Sequence, residues 1–154
     1  MAATSTNKQP LLVDHVLHVV ANLDTATNDG IDIVNNDARL LVDSTSADGA
    51  IIEDVYLISR GTTAYPVNLY ISTARDYLRP NEAYYVGTIT SANTAKDVVR
   101  WDEMPYCLAP VPHVGNDARN RAFYLPKGYS FWAARQSDSP VTDGPLIGVQ
   151  GGWY

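Results

Sequence analysis

The sequence predicts an all-β protein: an antiparallel, jelly-roll-like β-sandwich of about eight strands. Val, Ile and Thr together number 35 of the 154 residues, and ten Tyr add to a composition that favours strands. Asp (14) and Asn (ten), which favour turns, far outnumber the helix formers Glu and Lys, with three each. Short segments of alternating apolar and polar residues recur between turn signals, as they do in sandwiches and jelly rolls.

The length and composition fit one domain with its own core. The chain is 45% apolar and 18% charged, which is too apolar and too weakly charged for a disordered protein. We predict a flexible N-terminal arm over residues 1–10 and a single sandwich domain over residues 11–154. The first apolar run, "LLVDHVLHVV" (11–20), fits a helix stripe or a strand by its period, and the composition of the whole chain favours the strand.

Further strands are predicted through the middle of the chain, between breakers rich in Ser, Gly, Thr and Asp. The segments are 38–43, 50–60, 64–75 and 84–92. Only Gly-Thr-Thr separates "AIIEDVYLISR" from "AYPVNLYISTAR", which predicts that these two strands pair as a hairpin.

The last third of the chain begins with prolines and ends with aromatic strands. Three prolines between residues 102 and 118 exclude a central strand, so we expect a proline-rich loop or an edge excursion near 102–118. The segment "RAFYLPKGYSFWAARQ" (121–136) is typical of a strand, a tight turn and a second strand, and we interpret it as a hairpin. The segment "PLIGVQGGWY" (145–154) supplies the final strand.

Charge and the pattern of apolar residues argue against several classes of protein. The net charge is −6, and the eight Arg are dispersed without a basic cluster, so we expect no nucleic-acid partner. No apolar run approaches the roughly 20 residues of a membrane helix, and the polar start "MAATSTNKQP" does not resemble a signal peptide. We therefore expect no membrane partner and synthesis in the cytoplasm. Cys107 is the only cysteine, so no internal disulfide can form.

The reactive side chains form no recognisable catalytic motif. Folding could bring His15, His18, His113 and Cys107 together as zinc ligands, but hydrogen-bonded surface histidines and a buried thiol are the simpler interpretation. The chain has no Gly-x-Ser-x-Gly elbow and no phosphate-binding loop. The Asp-rich turns lack the spacing of a helix–loop–helix calcium site, and turn chemistry accounts for them. We predict no catalytic residue, no cofactor and no metal.

The aromatic residues carry the functional signal of the sequence. They crowd the second half of the chain, and several are consecutive, so that one ring of each pair must face away from the core of a sandwich. Outward Tyr can merely cover a sheet, but Tyr and Trp are also enriched at the centres of protein interfaces. The candidate interface residues are Tyr84, Tyr124, Tyr129, Trp132, Trp153 and Tyr154.

In layout, the chain resembles the small β-sandwich virion proteins of tailed bacteriophages. The resemblance covers roughly residues 38–154 and rests on "DVYLISRGTTAYPVNLYIS", on "FYLPKGYSFWAA" and on the glycine-containing end "IGVQGGWY". The proline-rich stretch at 102–118 departs from it, which leaves the capsid, the neck and the tail open as locations. The resemblance implies a non-enzymatic structural role in the virion, as an oligomer that bridges the subunits of a shell.

We therefore expect a capsid decoration (cement) protein that binds the major capsid protein or neighbouring virion proteins, as a homo-oligomer for which a trimer is favoured. The alternative is a carbohydrate-binding β-sandwich that uses exposed aromatic rings as stacking platforms. A metal enzyme of cupin type is a weaker third alternative, because the tight His-x-His pattern of such sites is absent.

Overall fold

The computed structural model of the protein describes residues 15–23, 38–45, 47–101, 111–112, 121–136 and 144–153. Ten strands lie in these ranges: β1 (His15–Asn22), β2 (Arg39–Asp43), β3 (Gly49–Ile58), β4 (Pro66–Ser72), β5 (Tyr84–Thr90), β6 (Val98–Arg100), β7 (Val111–Pro112), β8 (Arg121–Pro126), β9 (Ser130–Arg135) and β10 (Leu146–Trp153). A short 3₁₀ turn, Pro80–Glu82, precedes β5, and these ranges contain no α-helix. The all-β prediction is confirmed. The predicted arm, 1–10, and most of the predicted loop at 102–118 lie outside the described residues.

Two antiparallel sheets form the sandwich. The larger sheet has the order β1-β10-β3-β8-β7, and β6 pairs with the second half of β3, beside β8. The smaller sheet has the order β2-β9-β4-β5. The pairing runs in mirrored order along the chain: β1 with β10, β2 with β9, β3 with β8 and β6, and β4 with β5. The chain is therefore one long double ribbon rolled up on itself, which is the arrangement of a jelly roll.

The observed strand order shows that two predicted hairpins are wrong. β3 and β4 follow each other along the chain but belong to different sheets, and so do β8 and β9. The predicted turn is present, since the amide of Tyr129 donates to the carbonyl of Pro126 at 3.1 Å. The strands on either side of it face each other across the core instead of pairing. Alternation of apolar residues fits both arrangements, because it reports only which side of a strand is buried.

The main core lies between the two sheets and is filled by the inward side chains of both. Three rings cross it in sequence: Trp101 meets Phe123 edge-on at 6.3 Å between centroids, and Phe123 meets Phe131 at 5.3 Å. Phe123 belongs to the larger sheet and Phe131 to the smaller one, so this pair joins the two layers. Around the rings pack aliphatic side chains that are all buried, among them Leu17, Ile52, Val55, Leu57, Val67, Leu69, Ile147 and Val149.

A β-bulge interrupts the ladder between β3 and β10. Gln150 faces Asp54 while Gly151 faces Ile52, which leaves Glu53 as the extra residue. The two backbones come so close here that a Cβ atom on Gly151 would lie 1.9 Å from the carbonyl oxygen of Ile51. Only glycine fits this point of the ladder.

We expect Gly151→Ala to destabilise the protein by about 3 kcal/mol, because the new methyl group collides with backbone rather than with a movable side chain. Urea denaturation measures the effect. Gly128→Ala serves as the control: Gly128 has φ +86° with open space around its Cβ position, so strain alone costs about 1–2 kcal/mol there. Equal losses in the two variants would contradict the close approach at Gly151.

Candidate interaction surfaces

Six large apolar side chains are exposed among the described residues, and their positions define two surfaces. Tyr84 and Tyr85 lie on β5, the edge strand of the smaller sheet, and Tyr77 lies on the loop that precedes it. We call these three residues the tyrosine edge. Val16 and Val20 lie on β1, the edge strand of the larger sheet, and we call this strand the β1 edge. The sixth side chain, Val98, lies on the short strand β6.

A bulge in β5 shapes the tyrosine edge. Leu69 faces Gly87 while Tyr70 faces Tyr85, so Val86 is the extra residue. Tyr84 is left 60% exposed at the margin of the sheet. The ring of Tyr85 meets Tyr70 edge-on at 6.1 Å, so it stands on a rigid support even though its outer part is exposed.

Hydrogen bonds fix the orientation of Tyr85. The Thr88 hydroxyl donates to Asn68 Oδ1 at 2.6 Å, and the Tyr85 hydroxyl lies 2.8 Å from Thr88 Oγ1. Because the single hydroxyl proton of Thr88 is used on Asn68, Tyr85 is the donor of the second bond. A ring held in this way loses little side-chain entropy when a partner covers it, which favours binding.

The loop between β4 and β5 covers the outer face of the smaller sheet. Its Leu78 is fully buried in a second apolar cluster with Tyr70, Trp132 and Ala134. The Ser130 hydroxyl accepts the Trp132 indole N–H at 2.7 Å and lies 2.5 Å from the carbonyl oxygen of Ala74, to which it donates. The loop is thus bound to the sheet by both apolar packing and hydrogen bonds.

This loop corrects the expectation for Trp132. The ring does face away from the main core, as its alternation with Phe131 predicts, but it is only 2% exposed because the loop covers it. Trp132 is therefore a structural residue of the second cluster in this chain. The sequence gives no local sign of this cover, since Leu78 and Trp132 are 54 positions apart in the chain and meet only when it is folded.

The other five candidate residues lie in different environments. Tyr84 is the exposed one. Trp153 and Tyr129 are partly buried against the main core. Tyr124 is partly exposed, and its hydroxyl donates to the carbonyl of Asp48 at 3.1 Å. Tyr154 lies outside the described residues. The structure thus does not gather the six residues into one patch, and it adds Tyr77 and Tyr85 beside Tyr84.

The same loop also holds a polar depression of about 290 Å³, lined by residues of the 73–82 segment. Arg79 dominates one side: it donates to the Tyr77 hydroxyl at 2.7 Å and pairs with Glu82 at 3.3 Å. The hydrogen bond to Tyr77, with Glu82 close by, raises the pKa of Arg79 above its ordinary value. The depression therefore presents a permanent cation beside an exposed ring.

The β1 edge has a regular backbone and an uncharged surface. β1 pairs with β10 in unbroken register from His15 to Asn22. Across the outer face, the ring of Tyr56 lies directly over Gly148, and its hydroxyl meets His18 Nε2 at 3.0 Å. Val16 is 84% exposed and Val20 51% exposed, on either side of His18 on the same face. The sequence interpretation missed this surface, although the alternation of "VLHVV" within an uncharged segment is its signal.

His15 and His18 are three residues apart on a strand, so they point to opposite faces, as a strand requires. In the part of the chain that the structure describes, no three His, Cys, Asp or Glu side chains lie close enough to hold a metal ion. His113 and Cys107 lie outside that part. No helix in the same ranges has the length and apolar character needed to cross a membrane.

Comparison with models of known protein families, with curated proteins and with solved structures finds no match to the chain.

We expect Leu78→Ala to cost about 2–4 kcal/mol of stability, because it opens a cavity over the Trp132 ring and loosens the loop. Urea unfolding followed by tryptophan fluorescence measures this change. The neighbouring Tyr77→Ala is the matched control and should cost less than about 1 kcal/mol, since Tyr77 is exposed. A Leu78→Ala variant as stable as the control would show that the loop does not cover Trp132.

Proposed function

We propose that the protein is a non-enzymatic structural protein of a virion, a decoration protein that binds the major capsid protein or its neighbours through the tyrosine edge. One observation carries the proposal: Tyr84 and Tyr85 are both exposed at consecutive positions of a bulged edge strand, and the ring of Tyr70 supports the ring of Tyr85. The virion as its location rests on the resemblance of the sequence to small β-sandwich virion proteins.

Rigid, exposed tyrosines are well suited to bind another protein. Each ring offers a broad apolar face and a hydroxyl, and only two side-chain torsions are frozen on binding. Covering the exposed part of one such ring stabilises a complex by about 1–2 kcal/mol on area grounds. Tyrosines at the centre of an interface are accordingly among the residues whose removal weakens binding most.

Repetition on a shell turns such modest contacts into firm attachment. A symmetric shell presents the same site many times, and copies that also touch one another bind with a high effective concentration. The net charge of −6 keeps the free protein soluble and favours approach to a positively charged face of a shell. Stability of the particle then comes from many equivalent contacts, without any chemical step.

The double variant Tyr84→Ser/Tyr85→Ser tests the proposal. Both side chains are exposed at the sheet margin, so the fold should persist while two contact rings are lost. Co-sedimentation with capsids of the particle that encodes the chain should show binding weakened by roughly a hundredfold, about tenfold for each ring removed.

Val98→Ser is the control, because Val98 is 54% exposed but lies on the other sheet. It should bind like the unmodified protein. Unchanged binding of the double variant would overturn the role of the tyrosine edge, and failure of the unmodified protein to bind any capsid would overturn the virion function itself.

The polar depression favours carbohydrate binding as a second candidate function. It sets the exposed Tyr77 ring beside the guanidinium of Arg79 and the carboxylate of Glu82, and so combines a stacking surface with hydrogen-bonding groups. Under this function, a glycan array binds the unmodified protein but not Arg79→Ala, while Tyr84→Ser/Tyr85→Ser binds normally. An array without any bound glycan rejects the carbohydrate function.

A further inference from the structure

The proposed role of the tyrosine edge does not account for the exposed β1 edge. β1 extends over eight residues and pairs with β10, and with no other strand that the structure describes. Over residues 15–21 no described strand pairs with its outer backbone edge, which presents a row of donors and acceptors that another strand can complete. The open edge borders a face from which Val16 and Val20 protrude.

The other edge strands carry devices that discourage pairing. β2 and β5 are each bulged, with Leu41 and Val86 as the extra residues, and β2 also carries a charge at either end. β7 has only two residues. β1 has none of these features: its sequence, "HVLHVVAN", contains no Pro, no Lys, no Arg and no acidic residue, and its register is unbroken. By the rules that edge strands follow, β1 is built to pair.

We propose that the β1 edge is a self-association surface, at which β1 of a second copy pairs antiparallel across a two-fold axis through His18. In this register Val16 faces Val20 of the second copy, and Leu17 faces Val19 of the second copy. Each pair occurs twice because of the two-fold symmetry, and the larger sheets of the two copies join into one continuous sheet.

The exposed valines select this register. Paired residues must lie on the same face of the joined sheet, so the axis can pass through a residue but not between two. An axis through Leu17 would set Val16 against His18, and an axis through Val19 would set Val16 against Asn22. Only the axis through His18 covers each exposed valine with the other. Because β1 carries no Asp, Glu, Lys or Arg, the pairing opposes no two of these charges within the ladder.

The contact is small, so the association depends on concentration. A ladder of seven residues with two valine pairs buries less than the roughly 1,200 Å² of a standard stable interface. We therefore expect monomers in dilute solution, dimers in concentrated solution, and firm pairing where copies are already held close together. The proposed pairing predicts a dimer as the basic unit, whereas the sequence-based expectation was a trimer. The inference goes beyond the proposed function and does not depend on it.

Sedimentation equilibrium of the full chain over a range of concentrations tests the pairing. The unmodified protein should approach twice its mass of 16.8 kDa. Val20→Lys should weaken the association at least tenfold, because it places a charge against Val16 of the second copy. Val98→Lys, similarly exposed on the same sheet but with two strands between it and β1, should leave the association unchanged, and circular dichroism checks that both variants are folded.

A charge pair tests the register itself. Val16→Lys alone should weaken the dimer, and the double variant Val16→Lys/Val20→Glu should restore it, because each introduced lysine then faces an introduced glutamate of the second copy.

A mass of 16.8 kDa at every concentration overturns the proposal. The proposal is also overturned if Val20→Lys lowers the melting temperature but leaves the molecular mass unchanged. That result would mean that another part of the same chain covers the β1 edge. Equal effects of Val20→Lys and Val98→Lys also overturn it, and a double variant that stays dissociated overturns the axis at His18. The variant Tyr84→Ser/Tyr85→Ser should still dimerise, which separates this result from capsid binding.

Discussion

The antiparallel pairing of β3 with β10 is the constraint on which the rest of the fold depends. β3 is the hub of the larger sheet, with β10 along one side and β8 and β6 sharing the other. The inward side chains of β3, such as Ile52 and Leu57, are fully buried between the layers. The ladder joins an early strand to the last one. The strands between them must therefore fold within the segment of chain whose two ends this ladder holds together. The bulge at Gly151 lets the two strands stay paired on both sides of the point where their register shifts.

The sequence predicts where the strands lie far better than it predicts their partners. Alternation marks the buried side of a strand, and it correctly sets Phe131 toward the core and Trp132 away from it. The same alternation fits a hairpin and a chain that crosses between layers, so the two predicted hairpins were wrong. The burial of Trp132 needed Leu78, which lies far away in the sequence. Tyr84 is a candidate because it forms a consecutive pair with Tyr85, one ring of which must face outward, whereas the exposure of Val16 depends on which strand lies at the edge of the sheet.

The sandwich presents two edges of opposite character. The edge at β5 is bulged, which discourages backbone pairing, and in the proposed function its tyrosines bind through their side chains. The edge at β1 is regular and carries no Asp, Glu, Lys or Arg, and in the proposed self-association it binds through its backbone. Both lie on a scaffold whose layers are joined by the ring pair of Phe123 and Phe131. Under the two proposals, one edge binds a foreign partner and the other binds a second copy, and the two contacts together would build an extended assembly from a small domain.

Amide hydrogen exchange, recorded at low and high protein concentration and again with capsids added, tests this account most directly. The account predicts slow exchange in β3 and β10 under all three conditions, because their ladder holds the fold together. Exchange in residues 15–21 should slow as concentration rises and also when capsids hold copies close together, whereas exchange in residues 84–90 should slow only with capsids. Fast exchange in β3 and β10, or equal changes across all strands, would contradict the picture of a rigid sandwich with two separate binding edges.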